Sequence, residues 1–163
     1  MKRKLIVMRH AKSSWSSTAL TDHGRPLNDR GKRDAPKVGA ALVERGWMPD
    51  LVLSSDAQRT RETFAGMSSS FREEVSVVYV PEFYHAGMGA VQDALAEVDD
   101  AVECVLVLGH NPGWETMVHL LSGEPVAMKT ATAALMTREV GSWAAAVAPN
   151  TWDLAEVIYP REL

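Results

Sequence analysis

The sequence predicts a three-layer α/β/α sandwich with a mainly parallel central sheet, and three observations support that class. Four short runs of β-forming apolar residues, Leu5–Met8, Leu51–Leu53, Val75–Val80 and Val102–Leu108, read as buried strands. Segments with helical spacing alternate with them, and such β-α alternation builds a parallel sheet covered by helices on both faces. The length of 163 residues, with a single cysteine, suits one domain spanning 1–163 that buries its core without disulfides or metal.

The first strand ends at Arg9-His10. The polar segment after it, Lys12 to Arg30, contains Ser13-Ser14-Trp15-Ser16-Ser17 and an Arg25-Pro26 step, and reads as an irregular loop that lines or covers a site. Gly31 to Arg45 places Val38, Ala41 and Leu42 on one face with charges opposite, the pattern of a helix, and Gly46 suits its C-terminal cap. Leu51–Leu53 leads into Ser54-Ser55-Asp56, which offer N-cap oxygens to a helix of Ala57 to Met67, and Ser68-Ser69-Ser70 ends that helix. Further helices are expected at Val91 to Val98 and Trp114 to Leu121. Strands are expected at Thr132 to Val140 and Trp152 to Tyr159, forming an antiparallel edge.

Composition narrows the class of partner. Seventeen Lys and Arg against 21 Asp and Glu give a formal net charge of -4, which argues against a nucleic-acid binder built on a basic face. Leu5 to Met8 are too few to form a signal-peptide apolar region, and no stretch of about 18 apolar residues exists to span a bilayer. A cytoplasmic protein without a membrane partner is therefore expected. Cys104 lies inside an apolar strand, as a packed core thiol does.

The chemistry gathers where strands end, the usual place for ligand-binding groups in an open α/β sheet. At Arg9-His10 a guanidinium able to grip an oxyanion stands beside an imidazole able to attack one. The fourth strand ends similarly, in Gly109-His110-Asn111-Pro112-Gly113, and the second leads to a helix start carrying Arg59, a natural anion corner. Phosphoryl transfer needs an in-line nucleophile and cations around the equatorial oxygens. His10, with a substantial neutral fraction near pH 7, suits the first role. Arg9 and Arg59 suit the second, because a planar guanidinium can donate two parallel bonds to phosphate.

In order along the chain, Arg9-His10, Ser54-Ser55-Asp56-Ala57-Gln58-Arg59-Thr60 and Gly109-His110-Asn111-Pro112-Gly113 resemble the histidine phosphatase superfamily. Met8-Arg9-His10-Ala11-Lys12-Ser13-Ser14-Trp15, followed by Arg25-Pro26-Leu27-Asn28 and Gly31, is similar to its small SixA-type phosphohistidine phosphatases. The resemblance implies a phosphoglycerate mutase-like fold, a phosphohistidine intermediate on His10, contact between His110 and the phosphoryl group, and no cofactor or metal. In one branch of the superfamily an Asp directly follows the second His, where this chain has Asn111. In the other a Glu after the third strand acts as leaving-group acid, and it maps to Glu82. Arg25 either reaches the pocket rim or organises its own loop. Lys12, Ser13 and Ser14 either cradle an oxyanion or form a solvated loop.

No large cap insertion is expected, so the pocket should be shallow enough to admit a phosphorylated side chain of another protein. The expected partner is a phosphorylated protein, such as a phosphohistidine-carrying signalling domain. The alternatives are a small phosphate ester, taken by a phosphatase or mutase of the same superfamily, and a catalytically silent phosphate-binding module. A mutase ranks low for lack of enclosing segments, and zinc on His10 and His110 is disfavoured by the two flanking arginines. His23 and His85 read as loop residues and His119 as a helix-surface residue. Trp47, Trp114, Trp143 and Trp152 read as core or cover, whereas Trp15 sits in the rim loop.

Overall fold

Along the chain run β1 (Lys2–Arg9), α1 (Asp29–Glu44), β2 (Leu51–Ser54), α2 (Gln58–Ser68), β3 (Ser76–Tyr79), α3 (Met88–Ala96), β4 (Cys104–Gly109), α4 (Gly113–Ser122), β5 (Ala133–Glu139) and β6 (Asp153–Ile158). Short 3-10 turns occupy Pro81–Tyr84 and Pro160–Glu162. This computed structural model describes residues 1–16, 21–85 and 87–163. The strands form one mixed sheet in the order β3-β2-β4-β1-β5-β6. The β3-β2, β2-β4 and β4-β1 pairs are parallel, whereas β1-β5 and β5-β6 are antiparallel, so the last two strands form the expected antiparallel edge.

β1 is apolar on both faces because helices cover both. Leu5 and Val7 join one buried cluster with Leu95, Trp114 and Val118 of α3 and α4. Ile6 and Met8 join the other, with Val38, Leu42 and Met67 of α1 and α2. Side chains alternate across a strand, so adjacent residues feed opposite cores. Trp114, Trp143 and Trp152 are buried, and each indole N–H donates to a backbone carbonyl, of Val107, Val102 and Ala146 respectively. Cys104 is buried too, and burial raises its thiol pKa to about 12.

Three helix starts differ from the expectation, that of α3 lying at Met88 and not at Val91. α1 begins two residues before Gly31, because the Asn28 side chain accepts from the Gly31 amide at 2.9 Å and so caps the helix. Gly31 is needed there, since a Cβ would lie 2.2 Å from the Lys12 carbonyl oxygen. Ser54-Ser55-Asp56 do not cap α2: its N-cap is Ala57, with no side-chain cap bond. Instead the Thr60 hydroxyl meets the Ser55 carbonyl at 2.7 Å, and the Ser55 side chain faces the sheet's ligand-binding end. In the loop between β1 and α1, Ser13 and Leu27 form an isolated antiparallel bridge. Ser17 and the rest of 17–20 lie outside the described residues. No helix among the described residues is long and apolar enough to cross a membrane.

Candidate active site

Strand register builds the site. Arg9 pairs with Gly109 in the parallel β1-β4 ladder, and Ser54 pairs with Leu108 in the β2-β4 ladder. The next residues therefore emerge side by side: the His10 amide donates to the Gly109 carbonyl at 3.0 Å and the Ser55 amide to that of Leu108 at 2.9 Å. His10 and His110 face each other with ring centroids 5.2 Å apart. Arg59 enters from the first turn of α2. His10, Arg59 and His110 are all at least nine-tenths buried.

Each imidazole is held by a different partner. The Nδ1 of His10 lies 2.7 Å from the Ala11 carbonyl. A carbonyl only accepts, so Nδ1 carries the proton and the Nε2 lone pair is left for chemistry. Burial pushes the His10 pKa down to about 3, with the His110 ring and the two guanidinium groups adding to the effect, so the ring is neutral at physiological pH. Burial and the Arg59 charge lower His110 to about 4. Its Nε2 lies 2.8 Å from the Ser55 hydroxyl, which also accepts from the Ala57 amide.

Three buried nitrogens around these rings, Arg9 Nε, Arg59 Nε and His110 Nδ1, have no hydrogen-bond partner among the described residues. Buried polar groups are normally satisfied, so three orphans in one corner mark a place built for a ligand with several acceptor oxygens. Arg9 is fixed from behind, because its Nη1 donates to the Met128 carbonyl at 3.1 Å. Asn111 Nδ2 donates to the same carbonyl at 2.8 Å, and Glu115 accepts from the Met128 amide at 3.0 Å. Beside His110, a cavity of about 240 Å³ is lined by Tyr84, His85, Gly87 and the His110–Gly113 turn.

None of the remaining sequence candidates has a side-chain hydrogen bond to His10, Arg59 or His110 among the described residues. Glu82 is exposed on the 3-10 turn, whose buried member is Phe83. Arg25 spends its bonds on its own loop: Nε donates to Asp22 at 3.0 Å, Nη1 lies 3.4 Å from the Ser14 carbonyl, and the guanidinium stacks 3.6 Å over the exposed Trp15 ring. Ser13 is buried, and Lys12 and Ser14 are half-buried. His23 bonds Asp56, His85 stacks on Tyr84, and His119 is exposed on α4. Among the described residues no three His, Cys, Asp or Glu side chains cluster as a metal site.

Sequence reading missed Ser55 as the partner of His110, and it missed Asp22 and Tyr84. The Tyr84 hydroxyl donates to Asp22, and its ring lies 5.4 Å from that of His110. Asp22 also accepts from Arg59. The only sequence signal was an acidic residue three positions before Arg25.

The profile of the histidine phosphatase superfamily (branch 1) matches residues 5–126. The chain belongs to the histidine phosphatase superfamily. An uncharacterised chloroplastic protein of Arabidopsis thaliana is 39% identical over 97% of this chain and 78% of its own length. The crystal structure of the candidate phosphohistidine phosphatase SixA of Agrobacterium tumefaciens superposes with a TM-score of 0.81 at 27% identity, over 97% of this chain and 98% of that one. Its counterpart from Nakamurella multipartitia gives 0.78 at 30%, over 98% and 97%. The α/β sheet of this histidine phosphatase is thus of the SixA, phosphoglycerate mutase-like type, and the family supports hydrolysis of a phosphoryl group.

Proposed function

We propose that the chain is a metal-independent phosphatase whose His10 is transiently phosphorylated, acting on phosphohistidine in a protein substrate. The observation that carries the reading is the trio of unpartnered buried nitrogens, Arg9 Nε, Arg59 Nε and His110 Nδ1, beside the free Nε2 of a neutral His10. In this reading Nε2 attacks phosphorus while the substrate's P–N bond breaks. The departing imidazole keeps the bonding electron pair and leaves neutral, because its other nitrogen already carries a proton. Phosphorylated His10 becomes an imidazolium whose Nδ1–H strengthens its bond to the Ala11 carbonyl. Water then displaces His10, its proton goes to the released phosphate, and the neutral ring is restored. The guanidinium edges and His110 stabilise the charge on the equatorial oxygens throughout.

The similarity to the two SixA structures, the absence of a long insertion between motifs and the cavity of about 240 Å³ beside His110 support a protein-borne substrate. An ester makes a further demand, since an alkoxide needs a proton to leave. Glu82, on the same turn as Tyr84, is the proposed donor for that case. Glu82→Gln should then slow hydrolysis of an alkyl phosphate by about 100-fold while sparing a phosphoramidate, and wild-type rates on the ester would remove Glu82 from the mechanism.

The main test compares kcat/KM, in EDTA, for a phosphohistidine protein and a panel of sugar and nucleotide phosphates. Preference for the phosphohistidine protein is expected, with an acid-labile phosphoryl group trapped on wild type and none on His10→Ala. Faster turnover of the esters would move the substrate to a small molecule. Phosphate binding without turnover of any substrate would leave a silent phosphate-binding module.

A further inference from the structure

We propose that Asp22 is the positioning residue that aims Arg59 at the phosphoryl group, a role that rests on the phosphatase reading above. A guanidinium meets an oxyanion best through two adjacent N–H groups on one edge. In Arg59 the far end of the group is already occupied: Nη1 donates to the Asp22 backbone carbonyl at 2.8 Å and Nη2 to the Asp22 carboxylate at 3.2 Å. Nε, buried and unpartnered, is left free for a ligand. Two acceptors from one residue fix both the rotation and the tilt of the guanidinium plane, which a long flexible side chain does not fix for itself.

Asp22 is itself held from two further sides. Arg25 Nε donates to its other carboxylate oxygen at 3.0 Å, and Tyr84 donates its hydroxyl to the oxygen that Arg59 shares. The Tyr84 bond, with the Arg59 and Arg25 charges, keeps the Asp22 pKa down at about 2, so the carboxylate stays ionised wherever the protein is folded and active. The Tyr84 ring lies against His110 and 5.7 Å from the Arg59 guanidinium carbon, so one unit joins the loop, the clamp and the second imidazole. The Arg59 and Tyr84 bonds to Asp22 join residues 37 and 62 positions apart, whereas the Arg25 bond is local to the loop.

Positioning and simple electrostatics predict opposite signs. A carboxylate near a phosphate site repels the phosphate, so on charge alone its removal would tighten anion binding. If Asp22 acts by aiming Arg59, its removal weakens binding. The experiment titrates inorganic phosphate into wild type, Asp22→Ala and Asp22→Asn while following the His10 and His110 imidazole resonances, with thermal unfolding as a check that each variant is folded. Asp22→Ala should weaken phosphate binding, and lower kcat/KM, by about tenfold or more, as expected for loss of a charge-assisted bond. Asp22→Asn keeps a side-chain oxygen for Nη2 and should recover most of that loss.

In an Arg59→Lys background, Asp22→Ala should have little further effect, because residues that act through one another are not additive. Tighter or unchanged phosphate binding in Asp22→Ala would overturn the proposal, as would a full additional loss in the Arg59→Lys background. A folded wild type that binds phosphate and responds to Asp22→Ala, yet turns over no phosphorylated substrate, would refute the phosphatase reading and leave the role of Asp22 intact.

Discussion

The two orphaned Nε–H groups explain why Arg9 and Arg59 differ from lysines that would carry the same charge. A lysine ammonium is a compact point charge with no counterpart to the secondary N–H along the arginine stem. Arg59→Lys should therefore keep the local charge, lose the bond its Nε is placed to make, and lower kcat/KM by about 10- to 100-fold, the cost of one hydrogen bond to a charged group. A steady-state comparison on an aryl phosphate checks this, and near wild-type rates would show that charge alone suffices. Asn111 gives a second prediction at this scale. Installing the Asp that the other branch has there, Asn111→Asp, removes the Nδ2 donor to the Met128 carbonyl that also anchors Arg9, and sets a carboxylate beside Glu115. Phosphatase activity should fall rather than gain a leaving-group acid, and faster alkyl-phosphate hydrolysis by the variant would contradict this account of Asn111.

The strand-to-helix corners carry the site, and the one between β4 and α4 is closely packed. A Cβ on Gly109 would lie 2.5 Å from the Trp114 indole, which is buried and bonded to the Val107 carbonyl. Gly109→Ala must move that ring or the strand end bearing His110, so it should destabilise the protein by about 1–3 kcal/mol, as overpacking does, and reduce activity as well. Gly89→Ala is the control: nothing lies within 4 Å of its added Cβ, and α3 should gain up to about 1 kcal/mol in denaturant unfolding. These corners were legible in the sequence because buried strands read as apolar runs and their polar ends stand out. Arg9, His10, Arg59 and His110 could be named for that reason. Asp22 and Tyr84 could not, since one lies in a polar loop without a recognisable pattern, the other sits on an unforeseen 3-10 turn, and their pairing across 62 positions exists only in the folded chain. The Ser55 side chain was misassigned because a serine before a helix looks like an N-cap until strand register turns it toward an imidazole.

At the scale of the whole molecule, burying two neutral imidazoles ties stability to pH. In the folded protein His10 titrates at about 3 and His110 at about 4, whereas an unfolded histidine titrates at about 6.5. Above 6.5 both states hold neutral rings and nothing is lost. Below it the unfolded chain binds protons that the folded one refuses, so stability falls as the pH drops from 6.5 toward the folded values, by up to about 1.4 kcal/mol per pH unit for each ring. The Asp22 carboxylate, with a pKa of about 2, matters only at lower pH. Denaturant unfolding between pH 7 and 4.5 should show this slope in the wild type and a shallower one in His10→Gln and His110→Gln, and equal slopes would mean that the rings are not buried neutral. A bound oxyanion should oppose the effect. Lodged against the free Nδ1 of His110, it favours the imidazolium, so binding takes up a proton. Sulfate, a dianion across this range, should then raise the unfolding free energy more at pH 5 than at pH 7, by the logarithm of its tighter occupancy. An equal or smaller rise at pH 5 would mean that the anion does not engage His110.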